Sequence, residues 1–173
     1  MVVVETTRLT LRRLTLEDAR FILGLLNEPS FLELIGDKGV RTLDDARRYL
    51  ETGPLASYER HGFGLYLVEL KETSAPIGIC GLIQRDSLDD VDIGFAFTPE
   101  NWSRGYAFES ASAVLDFGFD VLGLERIVAI TSRDNEPSIK VLERLGLRFE
   151  KELRLAADEE PVKLFGSVPR SQA

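Results

Sequence analysis

Residues 92–109 constrain the fold most, because the spacing of their apolar residues changes partway along the segment. Up to residue 97, large apolar residues alternate with small or polar ones: Val91, Ile93, Phe95 and Phe97. This period of two predicts a β-strand. After Gly105 the apolar residues recur with helical spacing through about Leu122. Residues 103–107 are therefore predicted to begin a long helix that directly follows a strand.

The start of this helix has features that suit an anion. The first N–H groups of a helix lack partners within it, and the helix dipole places positive charge at the same end. Gly105 has no side chain to obstruct a phosphate, Ala107 keeps the next turn open, and Arg104 adds a cation. The segment is either a diphosphate-binding turn or an ordinary strand-to-helix turn that needs glycine for its backbone angles.

Length and composition narrow the class of protein. A chain of 173 residues with 44% hydrophobic residues can bury a sizeable core, and we expect a single domain over residues 1–173. No apolar run reaches the roughly 20 residues that span a bilayer, and the N-terminus lacks the pattern of a secretory signal. The net charge of −8 disfavours general binding to nucleic acid, which requires basic residues.

The chain contains one cysteine, Cys80, and one histidine, His61. A lone cysteine cannot form an intrachain disulfide, so we expect a reducing, cytoplasmic environment. Cys80 lies in an apolar run, which favours a buried, unreactive thiol over a nucleophile. The same counts argue against a structural zinc site, and we predict no bound metal.

The remaining patterns predict an α+β domain with a mixed sheet. Strands are predicted over residues 8–14, 63–71, 77–85, 91–97, 126–131, 149–155 and 162–168, and helices over 15–26, 30–35, 42–60, 106–122 and 135–145. Short connections among the three strands from 63 to 97 indicate an antiparallel meander. The strand at 126–131 follows a strand and a helix, so we expect it to lie parallel to strand 91–97. Residues 169–173 are predicted to be loose.

Four segments resemble, in order, the GNAT superfamily of acetyl-CoA-dependent N-acetyltransferases and, within it, the RimJ/RimL-like (ribosomal-protein-alanine N-acetyltransferase) branch. They are residues 5–19, 92–95, 102–111 and 135–149. Each motif is weak alone, but together they span nearly the whole chain with matching elements between them. The resemblance implies the GNAT fold: a central mixed, mostly antiparallel β-sheet flanked by helices, with splayed fourth and fifth strands.

The resemblance also implies acetyl-CoA as the co-substrate, and it indicates which residues would hold it. The diphosphate would bind backbone N–H groups of Ser103, Arg104, Gly105, Tyr106 and Ala107. The pantetheine arm would pair with the freed edge of the fourth strand at Phe95, Ala96, Phe97 and Thr98. An asparagine of the family that contacts this arm matches Asn135, and a serine that could reach the thiolate matches Ser138.

Direct attack of a primary amine on a thioester needs a base, an oxyanion donor and a proton for the thiolate. Asp92 is the first candidate for the base, acting through water, and the alternative is a solvated aspartate at a strand end. Glu69 is the second, because it interrupts an apolar alternation, although a frayed strand end explains this equally well. His61 is the third. Ser138 is the candidate acid, or only a local hydrogen-bonding residue.

Two departures from the family bear on function. In this branch a tyrosine that can donate a proton is common on the last strand, where this chain has Phe165. Trp102 stands where the wider superfamily favours Gln or Arg, although aromatic residues occur there in this branch. We expect an acetyltransferase acting on a protein N-terminus or a small-molecule amine, and a homodimer is possible. The alternatives are a weak or inactive CoA-binding sensor or subunit, and a protein-interaction domain without a cofactor.

Overall fold

The computed structural model describes residues 1–169 and confirms the predicted order of elements, with one added strand. The strands are β1 (Val2–Glu5), β2 (Leu9–Arg13), β3 (Leu65–Leu70), β4 (Pro76–Ile83), β5 (Val91–Phe97), β6 (Ile127–Ser132), β7 (Arg148–Leu153) and β8 (Val162–Gly166). The helices are α1 (Ala19–Leu26), α2 (Pro29–Leu34), α3 (Leu43–Leu50), α4 (Ala56–His61), α5 (Tyr106–Asp116) and α6 (Glu136–Arg144). Strand β1 is the addition, so the strands expected as fourth and fifth are β5 and β6. The prediction of a loose tail falls, after residue 169, outside the described residues.

Local sequence signals explain where the first helical segments begin. The Thr15 hydroxyl accepts a hydrogen bond from a backbone N–H of the following turn, and Asp18 accepts one from the Thr15 N–H. Thr42 and Asp45 form the same reciprocal capping box at α3. The helix predicted over residues 42–60 is interrupted by a π-helical segment that contains Pro54, because proline has no N–H for the helical hydrogen bonds.

The strands form one sheet in the order β1-β2-β3-β4-β5-β6-β8-β7. All neighbours are antiparallel except β5 and β6, which are parallel and pair only through Val91 with Ile127 and Asp92 with Val128. Beyond these positions β6 continues its pairing with β8 as far as Ser132, while β5 stays paired with β4. The two strands therefore separate after Asp92, which confirms the predicted splay. We use "the splay" for this gap.

Helices cover both faces of the sheet. Ala111 and Val114 of α5 pack in one core with Cys80, whereas Leu50 of α3 packs in a second core with Ile79. We call the side covered by α5 the α5 face, and the opposite side, where α1 packs together with α3, the α1 face. Successive side chains of a strand point to opposite faces, so residues 92, 94 and 96 of β5 lie on the α1 face. No helix in residues 1–169 is long and apolar enough to cross a membrane.

Candidate functional site

The splay and the starts of two helices lie at one edge of the sheet. Because β5 and β6 are parallel, their carboxyl ends point to the same edge, and α5 and α6 each follow one of these ends. In α/β sheets, ligands bind where two such strands separate. The topology therefore brings residues 103–107 and 135–138, which are distant in sequence, to the two sides of one cleft.

The turn before α5 has the backbone conformation of an open helix start. Ser103 and Gly105 have φ values of +61° and +83°, and the second is in the left-handed region that glycine adopts without strain. Gly105 is the N-cap of α5, and no side chain among the described residues 1–169 caps the helix. Ser103, Arg104 and Gly105 are exposed. The first N–H groups of α5 are therefore accessible to an anionic ligand.

A second cation, Arg8, lies against this turn. Its guanidinium carbon is 4.5 Å from the centroid of the Tyr106 ring. A Cβ atom added to Gly105 would lie 3.3 Å from Arg8 Nη2, so the guanidinium is beside the helix start. Arg8 and Arg104 both contribute positive charge to the turn, and sequence reasoning assigned this role only to Arg104.

Glu109, in the first turn of α5, holds Arg8 in place. Its Oε1 atom accepts a hydrogen bond from Arg8 Nε at 2.7 Å, and Oε2 accepts from the Arg8 backbone N–H at 3.0 Å. Partial burial would raise the pKa of Glu109, but the hydrogen bonds from Thr6 and Arg8 outweigh burial and lower it. The carboxylate is therefore ionised at neutral pH. Arg8 and Glu109 lie in two of the segments that resemble the family, residues 5–19 and 102–111. Apart from this resemblance, the sequence contains no signal that the two residues pair.

One side of the β5 backbone is free. The Thr98 N–H donates to the Ile77 carbonyl at 3.0 Å, so the backbone groups at residue 98 point toward β4. Backbone groups of successive residues in a strand point to opposite sides. The backbone N–H and C=O groups of Phe95 and Phe97 are therefore directed into the splay, where β6 no longer pairs with β5.

Trp102 occupies part of this free edge. Its indole Nε1 donates a hydrogen bond of 2.9 Å to the Phe97 carbonyl, which fixes the turn to the end of β5. The residues predicted to pair with the pantetheine arm therefore divide into two groups. Phe95, and the N–H of Phe97, face the splay. Ala96 and Thr98 direct their backbone groups toward β4, because of the same alternation.

At the start of α6, Asn135 is the N-cap, as predicted. Its Oδ1 atom accepts a hydrogen bond from the Ser138 N–H at 3.3 Å, which leaves the NH₂ group of Asn135 for a ligand. Ser138 is half-buried, and its hydroxyl makes no hydrogen bond to any of the residues that the structure describes. This hydroxyl is thus available to a ligand in the cleft.

Asp92 lies at the base of the splay, at the last position where β5 and β6 pair. It is only 1% exposed, so the alternative of a solvated strand-end aspartate is wrong. Both of its carboxylate oxygens accept hydrogen bonds from Arg85 Nε, at 3.2 and 3.3 Å. Burial raises the pKa of Asp92, although the positive charge of Arg85 opposes the increase. Sequence reasoning did not identify Arg85, whose role depends on this contact.

The structure does not bring the other candidate bases to the splay. Glu69 lies on β3, two strands from β5, and its Oε2 atom is 3.3 Å from Arg12 Nε. This ion pair explains why a carboxylate interrupts the apolar alternation of β3. His61 is exposed at the end of α4, where its ring stacks on Phe63. Phe165 is 3% exposed and belongs to the core on the α5 face.

Cys80 is buried, as predicted, and burial raises the pKa of its thiol to about 12. The thiolate is the reactive form of cysteine, so this side chain is inert at neutral pH. Within residues 1–169 there is also no group of three or more His, Cys, Asp and Glu side chains that could hold a metal ion.

Known proteins share this architecture. A family model described as an acetyltransferase (GNAT) domain matches residues 8–148. The chain belongs to the GNAT acetyltransferase family. Its family makes the protein an acyltransferase. The predicted family and fold are therefore confirmed.

Relatives and solved structures match the acetyltransferase along most of its length. The uncharacterized N-acetyltransferase YoaA of Bacillus subtilis (strain 168) is 32% identical over 154 residues, which cover 88% of this chain and 86% of YoaA. The structure of an acetyltransferase from Agrobacterium tumefaciens str. C58 has a TM-score of 0.82 and 26% identity, and the match covers 97% of this chain and 94% of that one. RimL, a ribosomal L7/L12 α-N-protein acetyltransferase solved in complex with coenzyme A, has a TM-score of 0.82 at 17% identity over 98% of both chains. The likeness to RimL shows a shared fold.

Proposed function

We propose that this enzyme transfers the acetyl group of acetyl-CoA to a primary amine, as a single domain over residues 1–173 of the RimJ/RimL-like branch. The observation that carries the proposal is the splay, which opens beside the uncapped start of α5. A free strand edge fits an amide-bearing arm, and a helix start without a side-chain cap fits a diphosphate. RimL, which has the same fold, was solved with coenzyme A.

The binding roles follow from the directions of the backbone groups. Residues 103–107 bind the diphosphate through their N–H groups, while Arg8 and Arg104 add positive charge beside it. The Phe95 carbonyl and the Phe97 N–H face the pantetheine arm, and the free NH₂ group of Asn135 can donate to it. Trp102 stabilises this arrangement by joining the turn to the strand.

The catalytic roles fall to three groups around the splay. Acetyl-CoA supplies a thioester that an amine can attack directly, so no residue has to act as a nucleophile. Asp92 accepts the proton of the amine through a water molecule, and its raised pKa brings its basicity closer to neutral pH. A backbone N–H of β5 that faces the splay, at Phe95, stabilises the oxyanion. The free hydroxyl of Ser138 donates a proton to the departing thiolate, a role that the buried Phe165 cannot perform.

Measuring thiol release with a panel of amines tests the proposed activity. We expect turnover with at least one class of primary amine. Tight binding of acetyl-CoA without turnover on any amine would instead favour a CoA-binding sensor or subunit. If calorimetry detected no heat at high CoA concentration, a protein-interaction domain without a cofactor would be favoured.

Two substitutions test the catalytic assignments. Ser138→Ala should lower kcat roughly tenfold or more and leave the Kd of CoA nearly unchanged, whereas the control Ser112→Ala, in the middle of α5, should change neither. Asp92→Asn should lower kcat and remove the acidic limb of its pH profile. An equal loss of CoA affinity and turnover in Ser138→Ala would make Ser138 a binding residue. An unchanged pH profile in Asp92→Asn would exclude Asp92 as the base.

We also propose a cytoplasmic location and a homodimer. The lone, buried thiol of Cys80 suits a reducing compartment. Strand β7 ends the sheet, five of its six residues are exposed, and Phe149 is 53% exposed, so this edge can pair with another copy of the chain. Sedimentation analysis of wild type and Phe149→Lys tests the dimer, which the substitution should weaken.

A further inference from the structure

A group of interacting charged side chains extends from Asp92, at the base of the splay. Lys38 comes from the loop before α3, Arg85 follows β4, Asp92 lies in β5, and Glu159 lies in the turn between β7 and β8. We call these four residues the charged cluster. The proposed cofactor residues lie at the starts of α5 and α6, which leaves the α1 face as the side from which an acceptor amine can approach. The charged cluster is therefore placed to contact the acceptor.

Arg85 is held in one orientation, with part of its guanidinium free. Its Nε atom is bonded to Asp92, and its side chain is 31% exposed while that of Asp92 is 1% exposed. The two terminal nitrogens of Arg85 have no hydrogen-bond partner in residues 1–169. A guanidinium fixed through Nε presents these nitrogens as a planar fork, which matches the two oxygens of a carboxylate.

Lys38 places a second positive charge near this fork. Desolvation and the positive charge of Arg85 both lower the pKa of Lys38, while Glu159 opposes them. The positive charge of Arg85 therefore acts on Lys38, which lies in the exposed loop before α3. Tyr49 lies on the same side, and because burial raises its pKa, its hydroxyl is neutral at physiological pH. An anion bound between Arg85 and Lys38 would relieve the repulsion between them.

The negative groups of the charged cluster complete the pattern. Asp92 lies where the amine must reach the splay, and Glu159 lies on the other side of Lys38. In a ligand that carries both an amine and a carboxylate, the amine therefore faces the negative charge of Asp92, and the carboxylate faces the positive charges of Arg85 and Lys38. A polyamine would instead place additional positive charge against Arg85 and Lys38, which costs free energy.

We infer that the acceptor is a zwitterionic amine, an α-amino acid, whose carboxylate binds to Arg85 and Lys38. The inference rests on the proposed acetyltransferase function and specifies its substrate class. Arg85 and Lys38 determine specificity, and Asp92 also positions Arg85. The lone pair of the neutral amine forms the new C–N bond as the C–S bond breaks, the thiolate takes up a proton, and the nitrogen loses one.

The experiment compares each L-α-amino acid with its own carboxamide and with spermidine, in the presence of acetyl-CoA. The carboxamide keeps the shape and removes the charge. We expect kcat/KM for the best amino acid to exceed that for its carboxamide by about tenfold or more, since a charge-assisted hydrogen bond is lost. Lys38→Gln and Arg85→Lys should each reduce this ratio several-fold. Lys151→Gln, on the exposed strand β7, is the matched control and should leave the ratio unchanged.

The outcomes separate this inference from the proposed function. Preference for spermidine or for the carboxamides, or an unchanged ratio in Lys38→Gln, would overturn the inference and leave the acetyltransferase activity intact. If no amine is acetylated, calorimetry of amino-acid binding to the CoA-loaded protein decides. Binding that Lys38→Gln weakens would support the recognition site while refuting the proposed activity. No amino-acid binding would overturn the inference.

Discussion

Replacing Gly105 by Asn or by Asp tests the diphosphate-binding turn with two side chains of nearly the same shape. Gly105 has a φ of +83°, and asparagine tolerates this conformation better than most residues, so Gly105→Asn should lower the free energy of unfolding by about 1 kcal/mol. Among residues 1–169, the added Cβ meets Arg8 Nη2 alone, at 3.3 Å. Because this atom is the end of a flexible side chain, we expect both variants to fold.

Gly105→Asp differs from Gly105→Asn by one negative charge at the start of α5. In the free protein this charge is favourable by about 0.5 kcal/mol, because it faces the positive end of the helix dipole. Toward a bound diphosphate it is repulsive: Coulomb's law gives about 3 kcal/mol for one charge pair at roughly 5 Å and an effective dielectric constant of about 20. The Asp variant should therefore bind CoA about 100-fold more weakly than the Asn variant.

Calorimetry of CoA binding and thermal unfolding of the free protein measure the two effects separately. We expect the added charge to change stability and CoA affinity in opposite directions. The Asp variant should be at least as stable as the Asn variant, but it should bind CoA far more weakly. Equal CoA affinities in the two folded variants would refute the placement of the diphosphate at this turn. A lower stability of the Asp variant would contradict an open helix start at Gly105.

Three further predictions follow from burial and packing. Because the pKa of Glu109 is lowered, its ionised form stabilises the fold at pH above the usual glutamate pKa of about 4.3, and this stabilisation is lost as the pH falls through the lowered value. Urea unfolding should show wild type more stable than Glu109→Gln by about 1–2 kcal/mol at pH 7, with a smaller difference near pH 3, and a constant difference would contradict the ionic role. Gly94→Ala adds a Cβ in ordinary contact with Ile83 Cδ1 at 3.5 Å, so the protein should fold and bind CoA normally. Its kcat/KM for the amine should fall about tenfold, because the methyl group narrows the α1 face of the splay, and an unchanged value would place the acceptor elsewhere. Cys80 should resist thiol reagents in the native state and react after denaturation, and rapid labelling of native protein would contradict its burial.

The order of elements could be predicted because local interactions determine it. Thr42 and Asp45 open a helix by bonding to backbone groups within one turn, and the sequence shows both partners. Gly105 marks the start of α5 for a similarly local reason, since its positive φ favours glycine. Strand β1 was missed because four residues carry little periodic signal, and pairing with β2 is what makes them a strand.

The electrostatics of the site depended on contacts between distant parts of the chain. Whether Asp92 was solvated or buried could not be read from its neighbours, because its burial depends on the packing of both faces of the sheet. The roles of Arg8 and Arg85 depend on their pairing with Glu109 and Asp92.

The sequence by itself determined the element order and the position of the turn that begins α5, because short-range hydrogen bonds and apolar periodicity specify them. The resemblance of four motifs indicated the family. The tertiary structure decided which backbone groups of β5 face the splay, since this depends on the hydrogen bond from Thr98 to Ile77 in the neighbouring strand. It also decided which carboxylate reaches the splay. Asp92 lies at the base of the splay, whereas Glu69, on β3 and two strands from β5, forms an ion pair with Arg12. The order and register of the strands, which depend on long-range pairing, place these two carboxylates in different parts of the sheet.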